Sequence, residues 1–189
     1  MTIDLPAVHA AAVEHTRRYV HAVTDDQMGL DTPCEGWDVR ALLNHIVAGN
    51  LWVSPLVSGK SIDEVGAQFD GDVLGDDPSA AYDASAESAV AAFNAPGAMQ
   101  AACLVSYGPV PGAVYCGHRL IDVLIHGWDL AVATGQDATL PADLVEACAE
   151  VVAPQAEMLA GSGAFGNSSA IESGEGAQAA LLAQLGRSA

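Results

Sequence analysis

Residues 118–135, HRLIDVLIHGWDLAVATG, are predicted to form one helix that ends at its glycine. At about 100° per residue, His118, Asp122 and His126 fall on one face, and Asp129 lies close to the same line. The residues between them are mostly apolar, so two imidazoles and two carboxylates form a polar stripe on a helix that otherwise looks buried. Burying such groups is costly unless a partner satisfies them. A divalent metal ion is a suitable partner, because imidazole and carboxylate both bind one well.

The composition favours a helical protein over a sheet protein. Hydrophobic residues make up 51% of the chain and aromatic residues only 5%. Alanine, the best helix former, supplies much of the apolar share. At 189 residues we expect one domain, spanning 1–189, that is long enough to bury a core.

The charge excludes several classes of partner. Six basic residues against 24 acidic ones give a formal net charge of −18, which repels phosphate backbones and anionic lipid headgroups. We therefore expect no nucleic-acid partner and no membrane partner. The chain has no apolar run of roughly 18 residues and no basic start before an apolar block, so a cytoplasmic location is expected. The four cysteines form no CxxC pair and are expected to be free thiols.

The rest of the chain is also predicted to be mostly helical, with Asp38 and Ser79 as the N-caps of the second and third helices. The predicted helices are 6–24, 39–56, 80–94, 141–159 and 177–185. On the first of them, His15 shares the apolar face, whereas His9 falls elsewhere on the helical wheel. Residues 102–107 are predicted to be a short strand or extended segment, and 107–112 a loop. The acidic segment 70–77 is interpreted as solvated and 161–176 as flexible.

The residues that carry chemistry come from two helices. Asp122 and His126, four residues apart, place two ligands on one helical face, and His45 lies on a helix that we expect to pack beside it. Two ligands from one helix and one from another leave an open coordination position, as in catalytic metal sites. Asp129 is predicted to orient the His126 ring as a hydrogen-bond acceptor behind it. His118, on the other side of Asp122, is an alternative ligand.

Simpler interpretations of the same residues stay open. A single histidine among small helical neighbours is more often a hydrogen-bonded core residue than a ligand, and an Asp/His pair is more often a plain hydrogen bond. A bundle that has lost its metal would keep Asp122 and His126 as a buried polar network. Trp37, Trp52 and Trp128 are interpreted as anchors of the core.

Three segments resemble the DinB-like metal-binding proteins, and above all the metal-binding domain of mycothiol-dependent maleylpyruvate isomerase and its small actinobacterial relatives. They are TPCEGWDVRALLNHIVAGN, HRLIDVLIHGWDLAVATGQ and the C-terminal ALLAQLGR. The resemblance implies an all-α DinB-like four-helix bundle with additional C-terminal helices. It also implies a divalent metal, usually zinc, whose His/Glu/His ligands carry over to His45, Asp122 and His126. The middle ligand here is an aspartate, one methylene shorter.

The resemblance also implies a function. The first hypothesis is a metal-dependent enzyme that uses a low-molecular-weight thiol, mycothiol, for S-transfer or isomerisation. The alternative is a non-catalytic metal-binding or stress-related accessory protein. The family's isomerase has a further C-terminal domain, so its specific reaction is not expected to be inherited. No catalytic residue is assigned, Arg40 and Arg119 are candidates for binding substrate, and a homodimer is among the assemblies that the sequence allows.

Overall fold

A computed structural model describes residues 3–156 and 176–188 of the chain. The helices in these ranges are α1 (Leu5–Ala22), α2 (Val39–Leu51), α3 (Val53–Val57), α4 (Ile62–Val65), α5 (Pro78–Asn94), α6 (Gly112–Ala133), α7 (Ala142–Val152) and α8 (Ala177–Gln184). Short 3-10 turns lie at Asp25–Gln27, Ala98–Gln100 and Ala153–Gln155. Strands β1 (Ala102–Val105) and β2 (Gly108–Pro111) form an antiparallel hairpin in which Ala102 pairs with Pro111.

Four of the helices form a closed ring of contacts. Helix α1 packs on α5 and α6, and α2 packs on the same two helices from the other side. Helix α7 lies against α1 and α6, and α8 lies against α7. The predicted all-α four-helix bundle with additional C-terminal helices is therefore confirmed. That residues 1–189 make one domain stays a prediction.

Helix α6 is the central element, because it is buried along most of its length. Leu120, Ile121 and Leu124 have no exposed surface. The backbone of α6 also comes very close to α1, since a Cβ on Gly127 would lie 2.4 Å from Thr16 Oγ1. The same hydroxyl donates a 2.9 Å hydrogen bond to the Val123 carbonyl. Only a glycine therefore lets the two helices approach this closely.

The predicted helix starts differ from the observed ones at two places. Helix α6 begins at Gly112, six residues before the predicted start, because the β-hairpin delivers the chain directly into it. A Cβ on Gly112 would lie 1.9 Å from the Ala98 carbonyl oxygen, so this position needs a glycine that by sequence looks like part of a loop. The prediction of Ser79 as an N-cap is wrong. Asp77 caps α5 by accepting from the Ala80 N–H at 3.0 Å, with Pro78 in the first turn.

Other boundaries follow local chemistry. Asp38 caps α2 as predicted and accepts from the Ala41 N–H at 2.8 Å, but the predicted helix 39–56 is divided into α2 and α3 at Trp52. The predicted loop 107–112 is wrong in part, since Gly108–Pro111 forms the second strand. Helix α7 gives way to a 3-10 turn at Pro154, whose ring nitrogen cannot donate. The end of the predicted helix 141–159 and nearly all of the predicted flexible segment 161–176 lie outside the described residues.

Several general expectations can be compared with the described ranges. The four cysteines are free, as expected. The aspartates of the predicted solvated segment 70–77 are exposed. None of the helices in the described part of the chain combines the length and apolar character needed to cross a bilayer.

His9, which the helical wheel places away from the apolar face of α1, is buried. Its ring has no exposed surface and meets Phe93 edge-on, with 5.0 Å between ring centroids. Within residues 3–156 and 176–188, neither ring nitrogen of His9 has a hydrogen-bond partner. Burial and the nearby Arg119 guanidinium lower the pKa of His9 to about 3. The wheel misplaced it because α5 covers a wider sector of α1 than the apolar stripe indicates.

We predict that His9→Phe removes part of the acid sensitivity of the fold. The unfolded chain protonates this histidine below about pH 6.5, whereas the folded protein keeps it neutral down to about pH 3. The wild-type free energy of unfolding should therefore lose up to about 1.4 kcal/mol per pH unit from this group as the pH falls below 6.5. Urea denaturation of both proteins between pH 4.5 and 8 measures it. Parallel pH profiles would contradict the prediction.

Candidate metal centre

Three predicted ligands converge where α2 faces α6. His45 Nε2 lies 3.1 Å from Asp122 Oδ1, and His126 Nε2 lies 3.7 Å from the same oxygen. One donor atom from each of the three residues lies within 4.8 Å of the other two. The rings of His45 and His126 meet edge-on, with 4.9 Å between centroids. The structure thus brings together residues that are 77 positions apart in the chain.

The second oxygen of Asp122 is held by an arginine one turn earlier on α6. Arg119 Nη1 donates to Asp122 Oδ2 at 2.8 Å, and Arg119 Nη2 donates to Asn50 Oδ1 at 3.2 Å. Burial by itself raises the pKa of the Asp122 carboxyl, but the Arg119 guanidinium and the His126 ring hold that pKa well below its usual range. Asp122 is therefore a carboxylate with one oxygen bonded to Arg119 and the other directed at the two imidazoles.

The His126 ring is fixed from behind by Asp129. Its Nδ1 donates to Asp129 Oδ2 at 2.9 Å, and this contact leaves Nε2 of the ring facing Asp122. Asp129 has no exposed surface, and Arg187 binds both of its oxygens, with Nε 3.1 Å and Nη2 2.7 Å away. Burial opposes ionisation of Asp129, but the hydrogen bonds from His126 and Arg187 lower its pKa. The expected contact between Asp129 and His126 is present, and its role in metal binding stays a prediction.

Arg187 reaches this position through the end of the last helix. Gly186, with φ of 73°, turns the chain back after α8, and the Arg187 N–H then donates to the Leu182 carbonyl at 2.9 Å. This is the usual glycine-terminated helix end. It directs the guanidinium into the bundle instead of into solvent.

Cys34 and Trp37 are site residues that the sequence did not assign. The Cys34 thiol donates to Asp129 Oδ2 at 3.2 Å and lies 3.4 Å from Arg187 Nη2. Burial and the Asp129 carboxylate raise the pKa of Cys34 to about 12. The Trp37 ring, interpreted from sequence as a core anchor, lies over His45 with 4.8 Å between centroids. Both residues belong to the TPCEGWD segment and also contact His126 on α6, with 3.6 Å from Cys34 Sγ to Nδ1 and 6.0 Å between the Trp37 and His126 ring centroids. Contacts between such distant segments have no signature in local spacing.

The site opens on the α2 side. The exposed fraction of the side chain falls from 37% for His45 to 17% for Asp122 and 4% for His126. A ligand approaching from solvent therefore meets His45 and the half-buried Trp37 first.

Other candidate residues lie elsewhere. His118 is not brought into the three-residue group, because its ring nitrogens contact the Tyr107 hydroxyl and the Gln155 side chain. Arg40 binds Asp72 on the surface at 2.7 Å. Arg119 is buried and its guanidinium is bonded to Asp122 and Asn50. Both suggested arginines are thus bonded to protein side chains.

Comparison with known proteins identifies the family. Residues 9–131 match the family described as the mycothiol maleylpyruvate isomerase N-terminal domain. The chain is 41% identical over 157 residues to the uncharacterized proteins Rv0738 and MT0763 of two Mycobacterium tuberculosis strains, which covers 81% of this chain and 82% of theirs. The chain belongs to this family.

The fold comparison agrees. The crystal structure of the mycothiol-dependent maleylpyruvate isomerase superposes with a TM-score of 0.61 at 18% sequence identity. A histidine-to-alanine mutant of that enzyme gives 0.63 at 17% identity. Each match covers 81% of this chain and 68% of the other. At this identity the likeness establishes a shared DinB-like fold.

We predict that Arg187→Ala destabilises the protein far more than Arg40→Ala. Removing Arg187 leaves the fully buried Asp129 carboxylate without its guanidinium, which should cost about 3–5 kcal/mol. Arg40 pairs with Asp72 where both side chains are well exposed, so its loss should cost less than about 1 kcal/mol. Urea denaturation at neutral pH compares the two variants. Equal losses would show that the Asp129 ion pair is no more important than a surface contact.

Proposed function

We propose that the protein binds a divalent metal ion through His45, Asp122 and His126. The observation that carries this proposal is the position of three donor atoms from two helices around one point, with Asp122 Oδ1 3.1 Å and 3.7 Å from the two imidazole nitrogens. A carboxylate oxygen and an imidazole lone pair repel each other unless a proton or a metal ion lies between them. A proton on His45 Nε2 would satisfy the 3.1 Å contact alone, whereas one shared cation would satisfy both contacts at once.

The donor set fits zinc. Two ligands about 2.0–2.1 Å from one ion at the tetrahedral angle lie about 3.3 Å apart, and the two observed separations fall on either side of that value. The remaining polar atoms of Asp122 and His126 are already bonded, to Arg119 and Asp129. Such outer partners fix the orientation of metal ligands.

A second group of potential ligands, Cys34, His126 and Asp129, fits a metal less well. The Arg187 guanidinium already binds both oxygens of Asp129 and contacts the Cys34 sulfur. Both oxygens of Asp129 are therefore bonded to a guanidinium, whereas in the first group only Oδ2 of Asp122 is bonded to one. We therefore assign the ion to the first group.

We further propose that the protein is a metal-dependent enzyme acting with a low-molecular-weight thiol, mycothiol in the first instance, in S-transfer or isomerisation. The proposal of a thiol substrate is supported by the family to which the chain belongs and by its similarity to the mycothiol-dependent maleylpyruvate isomerase. A bound divalent ion would supply a Lewis acid that stabilises a thiol as its thiolate. His45, Asp122 and His126 would hold that ion, and the more exposed His45 side, next to the Trp37 ring, would remain accessible to the thiol. Four free cysteines fit the proposed cytoplasmic location.

We predict that the purified protein contains about one divalent ion per chain, and that His45→Ala loses it. Three protein ligands hold a catalytic zinc, and removal of one should lower the metal content to a small fraction. His118→Ala is the matched control, because His118 is on α6 but outside the group, and it should keep its metal. Elemental analysis after extensive dialysis measures all three proteins. Full metal content in His45→Ala would contradict the assignment.

The thiol is tested separately. Mycothiol at about 100 times its dissociation constant should stabilise the metal-loaded protein by about 2.7 kcal/mol, seen as a higher Tm. The chelated protein and the His45→Ala variant should show no such shift. A protein that binds metal but gains no stability from thiol would instead support the alternative, a non-catalytic metal-binding protein.

A further inference from the structure

A buried arginine, Arg119, lies directly behind the candidate ligand Asp122. It is 7% exposed, and it bonds Asp122 Oδ2 with one terminal nitrogen and Asn50 Oδ1 with the other. Asn50 is itself fully buried on α2, with its amide nitrogen 3.4 Å from Ser85 Oγ. Ser85 in turn donates to the Tyr82 carbonyl at 2.9 Å. A chain of polar contacts through α5, α2 and α6 therefore ends at one carboxylate oxygen.

Gly49 makes room for this arginine. A Cβ at position 49 would lie 2.3 Å from Arg119 Nη1 and 2.6 Å from its Cζ. Gly49 is in the interior of α2, where glycine weakens a helix relative to alanine. Its backbone is ordinary helix and does not itself require glycine. The guanidinium that lies across its Cα does require it.

The two oxygens of Asp122 consequently have different roles. Oδ2 accepts from Arg119, whereas Oδ1 faces His45 and His126. We propose that Arg119, accommodated by Gly49, is a positioning residue that holds Asp122 to a single metal-facing oxygen and so keeps one coordination position open for a thiol. This inference rests on the proposed metal site and extends it to the substrate's place on the metal.

The way a carboxylate binds a metal explains why Arg119 would matter. A free carboxylate can bind a metal through one oxygen or through both. Zinc in proteins prefers four ligands, so a second oxygen would occupy the place that a catalytic site leaves to substrate. A guanidinium bonded to one oxygen prevents that rotation. Lysine, which lacks the planar fork, cannot bond Asn50 and Asp122 in the same way.

The test uses the full chain loaded with Co²⁺ in place of zinc and 2-mercaptoethanol as the probe. The visible spectrum of Co²⁺ reports its coordination number, and the near-ultraviolet sulfur-to-cobalt band reports thiol binding. Arg119→Gln and Gly49→Ala should retain Co²⁺ but bind the thiol about 10–100-fold more weakly than wild type. Their spectra before thiol addition should stay four-coordinate but differ in band position from wild type, because the second oxygen of Asp122 takes the open position. Arg119→Lys should recover part of the thiol affinity.

Gly117→Ala is the matched control. It places a new Cβ 2.9 Å from the Val151 side chain, on the other side of α6, and should bind thiol as wild type does. If Arg119→Gln does not fold, Gly49→Ala decides the matter, because it keeps every charge. Wild-type protein that binds no Co²⁺ overturns the metal proposal and this inference together, whereas wild type that binds Co²⁺ without a four-coordinate spectrum overturns only this inference. A wild type that binds both probes, with variants that bind the thiol equally tightly, overturns only the role of Arg119.

Discussion

Two ion pairs, one buried and one half-buried, hold the site of this protein in place. Asp122 is bonded to Arg119, and Asp129 to Arg187, so each carboxylate on α6 has its own guanidinium. A buried carboxylate is costly without such a partner. The two arginines balance the negative charges of Asp122 and Asp129, so these charges do not depend on a metal ion for compensation. A divalent ion would then meet a site of no net charge inside a chain whose formal charge is −18.

The two pairs connect different parts of the fold to the same helix. Arg119 ties Asp122 to α2 through Asn50, whereas Arg187 brings the end of the chain, after α8, to Asp129. The additional C-terminal helix therefore takes part in shaping the site, although it contributes no candidate ligand. Arg187, just after this helix, bonds Asp129, and Asp129 in turn accepts from the His126 ring. A change near residue 187 can thus reach the metal site through two successive hydrogen bonds.

Helical spacing was sufficient to predict that Asp122 and His126 share one face of α6 and that His126 contacts Asp129, whereas the four-helix bundle was predicted from the family resemblance. Helical spacing was insufficient wherever the partner comes from a distant segment. Arg187 and Cys34 lie 58 and 95 residues from Asp129, and no local pattern pairs them. The helical wheel of α1 did not predict the burial of His9 for a related reason, because Phe93 of α5 covers this residue. The early start of α6 depends on a hairpin whose prolines and glycines look like a loop.

The candidate ligands differ in how far they are prepared before an ion binds. Asp122 and His126 share one rigid helix, and each is bonded from behind, whereas His45 is on α2 and is the most exposed of the three. Pre-bonded ligands lose little conformational freedom when they bind. The entropic cost of ordering therefore falls mainly on His45, and metal binding would join α2 to α6 across the bundle. Gly49 and Asn50 lie one turn beyond His45 and contact Arg119. The same stretch of α2 would therefore contact the ion through His45 and the Asp122 carboxylate through Arg119.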